Sequence, residues 1–128
     1  MTNWPQTVAE VTSQMRILRS DIPEVMKAFG SIAQAALAPK ALDSKTKELI
    51  ALGISVAIRC DDCIAFHVKA AIEQGASRAE VTEALAMAIY MGAGPSVMYA
   101  SHALEAFNQF AEKGSMNGAA SERSVSGR

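Results

Sequence analysis

Apolar residues recur along this chain at steps of three and four, the spacing of one helix face, and almost nowhere in strict alternation. Val8, Val11, Met15 and Leu18 predict a short amphipathic helix over Thr7–Leu18. A second helix is predicted from near Asp21, with Pro23 at an early helical position where its missing N–H is harmless. Ile22, Val25, Met26, Phe29, Ile32 and Ala33 share one side of it, and Pro39 ends the segment. Asp43 or Ser44 can cap a third helix. That helix opens polar, with Lys45, Lys47 and Glu48, and turns apolar as LIALGISVAI from Leu49 to Ile58. An uncharged run of this length predicts burial nearly all round. CDDCIAFHVKAAIEQG follows, with Gly75 as a C-terminal stop. Ser77 to Glu80, SRAE, is a capping box that starts a helix through about Met91. GAGP breaks the chain there, and a last helix is predicted from about Ser96 to Lys113.

The composition supports an all-α reading. Of 128 residues, 24 are alanine, the best helix former, against 17 valines and isoleucines together. The length fits one small domain. Residues 1–41 are expected to supply N-terminal helices packing on a core at 42–113. The small and polar stretch 114–128 is expected to be a flexible tail with no part in the chemistry.

Charge narrows the function classes. Twelve basic residues face thirteen acidic ones, for a net of -1, without the concentrated basic patch of a nucleic-acid binder. From Ala84 to Leu104 no residue carries a formal charge, a length that could span a bilayer. Gly92, Gly94, Pro95 and His102 interrupt the run, and two buried helices meeting at a break fit it better. The N-terminus lacks a basic start followed by an apolar run, so no signal peptide is read and a cytoplasmic location is expected. Two cysteines are too few for a disulfide-built secreted scaffold.

The chemistry concentrates between Glu48 and His67. Cys60 and Cys63, at i and i+3 of a helix start, have Cα atoms about 5 to 6 Å apart, within the reach of a disulfide. The helix N-terminus favours thiolate over thiol, whereas Asp61 and Asp62 would repel a thiolate. His67 follows Cys63 by four residues and Cys60 by seven, so the three side chains fall within roughly a 60° arc. A neutral imidazole there can take a thiol proton, and its cation can stabilise the thiolate. Either feature alone is more often a pair of buried small residues or a core histidine. Together, the only two cysteines and one of two histidines on one face point to a functional thiol site.

Glu48 precedes an all-apolar run and can be drawn to the core edge, where a carboxylate orients an imidazole and accepts its proton. On one straight helix it would lie about 18 Å from Cys60. Contact then requires a bend near Gly53, a fold-back, a bridging water or a neighbouring subunit. Zinc is the rival use of these groups, with Cys60, Cys63 and His67 as ligands and Glu48 as a fourth. Structural zinc sites more often gather ligands from two distant knuckles, and no second Cys pair exists here.

The spacing Glu48-x11-Cys60-x2-Cys63-x3-His67 resembles the signature of AhpD-like alkyl hydroperoxidases, in the carboxymuconolactone decarboxylase superfamily. The resemblance is best from about Leu42 to Phe107. It implies an all-α fold with one unit per subunit, assembled as a homo-oligomer, a trimer or hexamer. It implies a thiol-dependent peroxidase in which Cys63 is oxidised to sulfenic acid. Cys60 would donate the proton and resolve the acid to a Cys60–Cys63 disulfide, and Glu48 and His67 would relay the proton. The implied partners are a hydroperoxide and a dithiol, thioredoxin-like or lipoyl-type reductant, with no bound cofactor. Some members of the family carry a histidine just before the second cysteine; here Asp62 stands there. The alternatives are a decarboxylase-like enzyme that does not use the thiols, a zinc-binding helical module and a redox-sensing interaction protein.

Two apolar stretches, LIALGISVAI and ALAMAIYMGAGPSVMYASHAL, are more than one small subunit can cover. The surplus predicts an interface between copies that includes residues from about Met87 to Leu104.

Overall fold

Asn3 starts the first helix: its side chain accepts the N–H of Gln6 at 3.1 Å, satisfying one of the free donors of the first turn. In the computed structural model this helix, α1 (Trp4–Asp21), is followed by α2 (Pro23–Leu37), α3 (Ser44–Ala57), α4 (Asp61–Glu73) and α5 (Arg78–Ser126). The structure describes residues 1–126, with side chains through Ser115. Most of the expected tail, 114–128, lies outside the described side chains. The helical backbone itself continues to Ser126, past the Lys113 end expected from the polar composition. No strand occurs among the described residues, and the fold is all-α.

Most punctuation follows the local chemistry. Of the two candidates, Asp43 is the cap of α3, its carboxylate accepting the Thr46 N–H at 2.7 Å. Pro23 sits at the start of α2. Ser77 and Glu80 close the expected reciprocal box, with bonds of 2.9 and 3.1 Å. Lys45 and Glu80 form a 2.8 Å ion pair joining the starts of α3 and α5. Their hydrogen bond raises the Lys45 ammonium above, and lowers the Glu80 carboxyl below, its ordinary range. Lys47 reaches back to the carbonyls of Ala36 and Ala38, at 2.9 and 2.6 Å, and so completes the C-terminal end of α2.

α5 is two helical arms joined at a break. Ala93 has φ 55° and ψ -139°, a region that side chains rarely adopt. A Cβ on its neighbour Gly92 would lie 1.9 Å from the Oγ and 3.0 Å from the Cβ of buried Ser96, so any other residue there would force Ser96 to move. The interruption falls inside the GAGP segment, as its Gly and Pro content predicts.

α3, α4 and α5 pack against one another around Leu52, Val56, Ile64, Val68 and Val81, all fully buried. Burial of each such side chain contributes about 1.5–3 kcal/mol. α1 adds Trp4, 2% exposed, whose Nε1–H donates to Glu105 and whose backbone N–H donates to Gln109, both at 2.7 Å. α2 buries none of its residues; Val25, Phe29 and Ile32 are more than 60% exposed. The apolar run of α3 is covered on one side only. Leu52 and Val56 are buried, whereas Ile50 and Ile54 stand open beside Met87 and Met91 of α5, and Ile58, just past the helix end, is 64% exposed. An apolar groove of about 390 Å³ runs between these two helices. The expectation of burial all round therefore fails, because among the described residues nothing covers this face. No helix among the described residues is long and apolar enough to cross a membrane.

Candidate active site

The joint between α3 and α4 sets the geometry of the site. The Arg59 N–H bonds to the Val56 carbonyl and the Cys60 N–H to the Ser55 carbonyl, at 3.1 and 3.0 Å. This is the paired closure of a Schellman motif, and it needs a left-handed residue between the helix and the second bond. Arg59 holds that position, with φ 61°. The equivalent position after α4 is Gly75, φ 86°, closed by the same two bonds from Gly75 and Ala76. A side chain costs about 1 kcal/mol or more in this conformation. Arg59→Gly is therefore expected to stabilise the fold by about 0.5–1 kcal/mol, read as a raised urea midpoint with unchanged slope.

The tight turn reverses the chain and lays α4 back along α3. Cys60 ends the turn and caps α4, with extended backbone (φ -110°, ψ 95°), while its sulfur accepts the Cys63 N–H at 3.2 Å. Cys60 thus precedes the helix, where the sequence spacing placed it on the helical face. A capping role leaves its sulfur over the free N–H groups of the first turn. Cys60 and Cys63 are joined as a disulfide, with Cα atoms 5.2 Å apart.

The same reversal brings Glu48, in the first turns of α3, against His67 on α4. His67 Nδ1 and Glu48 Oε2 are 2.7 Å apart; the glutamate side chain is 9% exposed and the histidine 31%. An ionised carboxylate only accepts, so Nδ1–H is the donor and the neutral ring keeps Nε2 as its basic atom. His67 lies one helical turn beyond Cys63 on the same helix. Glu48 reaches the site by fold-back and through the imidazole; the structure has no hydrogen bond from it to either cysteine. Among the described residues, no three His, Cys, Asp or Glu side chains gather as metal ligands do.

A second imidazole–carboxylate pair stands at the start of α4. His102 Nδ1 lies 2.8 Å from Asp61 Oδ1. The ring is flanked by Tyr99 and Trp4, with centroids 5.1 and 6.1 Å away. Sequence reasoning missed this cluster. Its members come from three helices and Asp61 is 41 residues from His102, so no local pattern joins them. The available signals were a histidine inside an uncharged run and a single tryptophan near the N-terminus. On the other side of the motif, Asp62 lines a cavity of about 410 Å³ with Glu10, Gln14 and Leu18 of α1.

The carboxymuconolactone decarboxylase family model matches residues 23–106. A solved carboxymuconolactone decarboxylase family protein from Legionella pneumophila is 48% identical, with a TM-score of 0.82 over 84% of this chain and 96% of that one. Another from Thermotoga maritima, suggested to take part in an antioxidative response, is 30% identical, with a TM-score of 0.76 over 84% and 95%. An uncharacterised protein of Cupriavidus necator is 38% identical over 84% of this chain and 95% of its own length.

Proposed function

The chain belongs to the carboxymuconolactone decarboxylase family, and on that premise we propose that it is a thiol-dependent peroxidase of the AhpD-like type. The observation that carries this reading is a bridged Cys60–Cys63 pair one helical turn from an imidazole whose other nitrogen is held by a buried carboxylate. In the reduced protein, His67 Nε2 takes the proton of the Cys63 thiol, and Glu48 stabilises the cation that forms. The thiolate attacks the distal peroxide oxygen. The O–O bond breaks, Cys63 becomes the sulfenic acid, and the leaving alkoxide takes the proton from His67 as an alcohol. The Cys60 thiol then displaces water from the sulfenic acid and forms the disulfide. A dithiol, thioredoxin-like or lipoyl-type donor returns both thiols by exchange and is itself oxidised to a disulfide. The bridged form seen here corresponds to the product of the peroxide half-cycle.

The test is thiol titration of the reduced protein before and after one equivalent of an alkyl hydroperoxide, with peptide mapping under non-reducing conditions. The expected product is one intramolecular Cys60–Cys63 bridge per chain and one equivalent of alcohol. Two free thiols after excess peroxide would remove the redox reading and leave a decarboxylase-like use of the fold.

The same proposal includes assembly. The open faces of α2, α3 and the break of α5 carry Phe29, Ile54, Met87, Tyr90, Met91 and Met98, each more than half exposed. Such apolar surface exceeds what a lone soluble domain usually shows, and a trimer or hexamer would cover it. Light scattering at micromolar concentration is expected to give a multiple of 13.5 kDa; a clean monomer refutes it.

A further inference from the structure

The two residues between the cysteines are both acidic, and they occupy the first turn of α4. Carboxylates there suit the helix dipole, yet each is a chain neighbour of a cysteine, where a carboxylate opposes a forming thiolate. Their surroundings differ. Asp61 is paired with His102 at 2.8 Å, whereas Asp62 has no cationic partner among the described residues. The imidazole is itself held: Tyr99 and Trp4 flank it, and Trp4 is anchored through Glu105 and Gln109. This fixes an imidazole beside one of the two charges that oppose thiol ionisation.

We propose that His102 is a positioning residue for the thiol chemistry, acting through Asp61. By holding the Asp61 carboxylate, and by offsetting its charge when protonated, it lets the reduced Cys60–Cys63 pair ionise at lower pH. The role rests on the thiol-redox reading of the site. The charged and titratable groups involved are few. Asp61 from α4 pairs with His102, the phenol ring of Tyr99 stands 5.1 Å from it on the same helix, and Glu105, one turn along, is engaged by Trp4. Arg59, Asp61, Asp62 and His67 are the charged or titratable residues nearest the cysteines along the chain, and Glu10 of α1 lines the same cavity as Asp62.

The experiment measures thiolate formation in the fully reduced protein, without peroxide, as absorbance at 240 nm and iodoacetamide reactivity against pH. His102→Ala is expected to raise the midpoint by about 0.5 pH unit, a roughly three-fold loss of thiolate at neutral pH. Asp61→Asn is expected to lower it, and His102→Ala in the Asp61→Asn background to change nothing further. An unchanged midpoint in His102→Ala overturns the proposal, as does a shift that persists undiminished when Asp61 is already asparagine. His102→Gln, which keeps polar bulk beside Trp4 and Tyr99, serves if the alanine variant loses its helical circular dichroism. The peroxide titration is separate: cysteines that peroxide leaves reduced overturn the peroxidase reading, and a normal peroxide response with an unmoved midpoint overturns only the role of His102.

Discussion

Cys63→Ser is expected to abolish peroxide consumption and to leave no sulfenic acid that a selective reagent can trap. Cys60→Ser is expected to retain one oxidation event and to accumulate a trappable sulfenic acid on Cys63, because the resolving thiol is gone. The assignment follows the family resemblance, and the geometry offers a sharp alternative. Cys60 caps α4, and its sulfur accepts the Cys63 N–H, an arrangement that lowers the cost of a thiolate at Cys60. Mass mapping of the trapped adduct decides between the two. Label on Cys60 in the Cys63→Ser variant, with none on Cys63 in the reciprocal variant, reverses the roles.

The second large effect is expected at the relay. Glu48→Gln keeps the shape of a buried side chain but removes the charge that holds His67 Nδ1–H, and His67→Ala removes the base. Each should slow oxidation of the reduced thiols by roughly 10²- to 10⁴-fold, about 3 to 5 kcal/mol in the barrier. Stopped-flow oxidation by one hydroperoxide, with a thermal melt of each variant, separates loss of catalysis from loss of fold. The double variant should be little slower than the worse single one, since the two groups act as a unit. Unchanged rates in both single variants would leave the cysteines an ordinary dithiol.

Local signals carried most of the helix boundaries. Asp43, Pro23, the Ser77–Glu80 box and Gly75 each act within a few residues of their own position, so the sequence displays both partners at once. The contact between Glu48 and His67 was less legible, although both residues were identifiable by type. Their meeting depends on the reversal at Arg59, and a left-handed arginine gives no hint of the turn that a glycine would. The helix start at Cys60 was legible from the spacing, but its role as the cap, outside the helical turns, was not. The cluster of Trp4, Asp61, Tyr99 and His102 depends on three helices converging, which no spacing rule encodes. The open faces of α2 and α3 belong to a further class: their apolar residues were recognised, but none of the described residues covers them.

Cys60 completes the exit of one helix and opens the next, so the joint has no spare residue. An ideal helix advances about 100° and 1.5 Å per residue. Inserting or deleting a single residue within α3 after Glu48, or within α4 before His67, would therefore turn one of the two side chains away from the other by nearly a third of a revolution. Both helices could still form and still bury apolar surface, but Glu48 and His67 would face different directions. The fixed count of residues from Glu48 to His67 is thus a demand of helix register as much as of chemistry, and it makes this segment a place where the chain tolerates changes of side chain far better than changes of length.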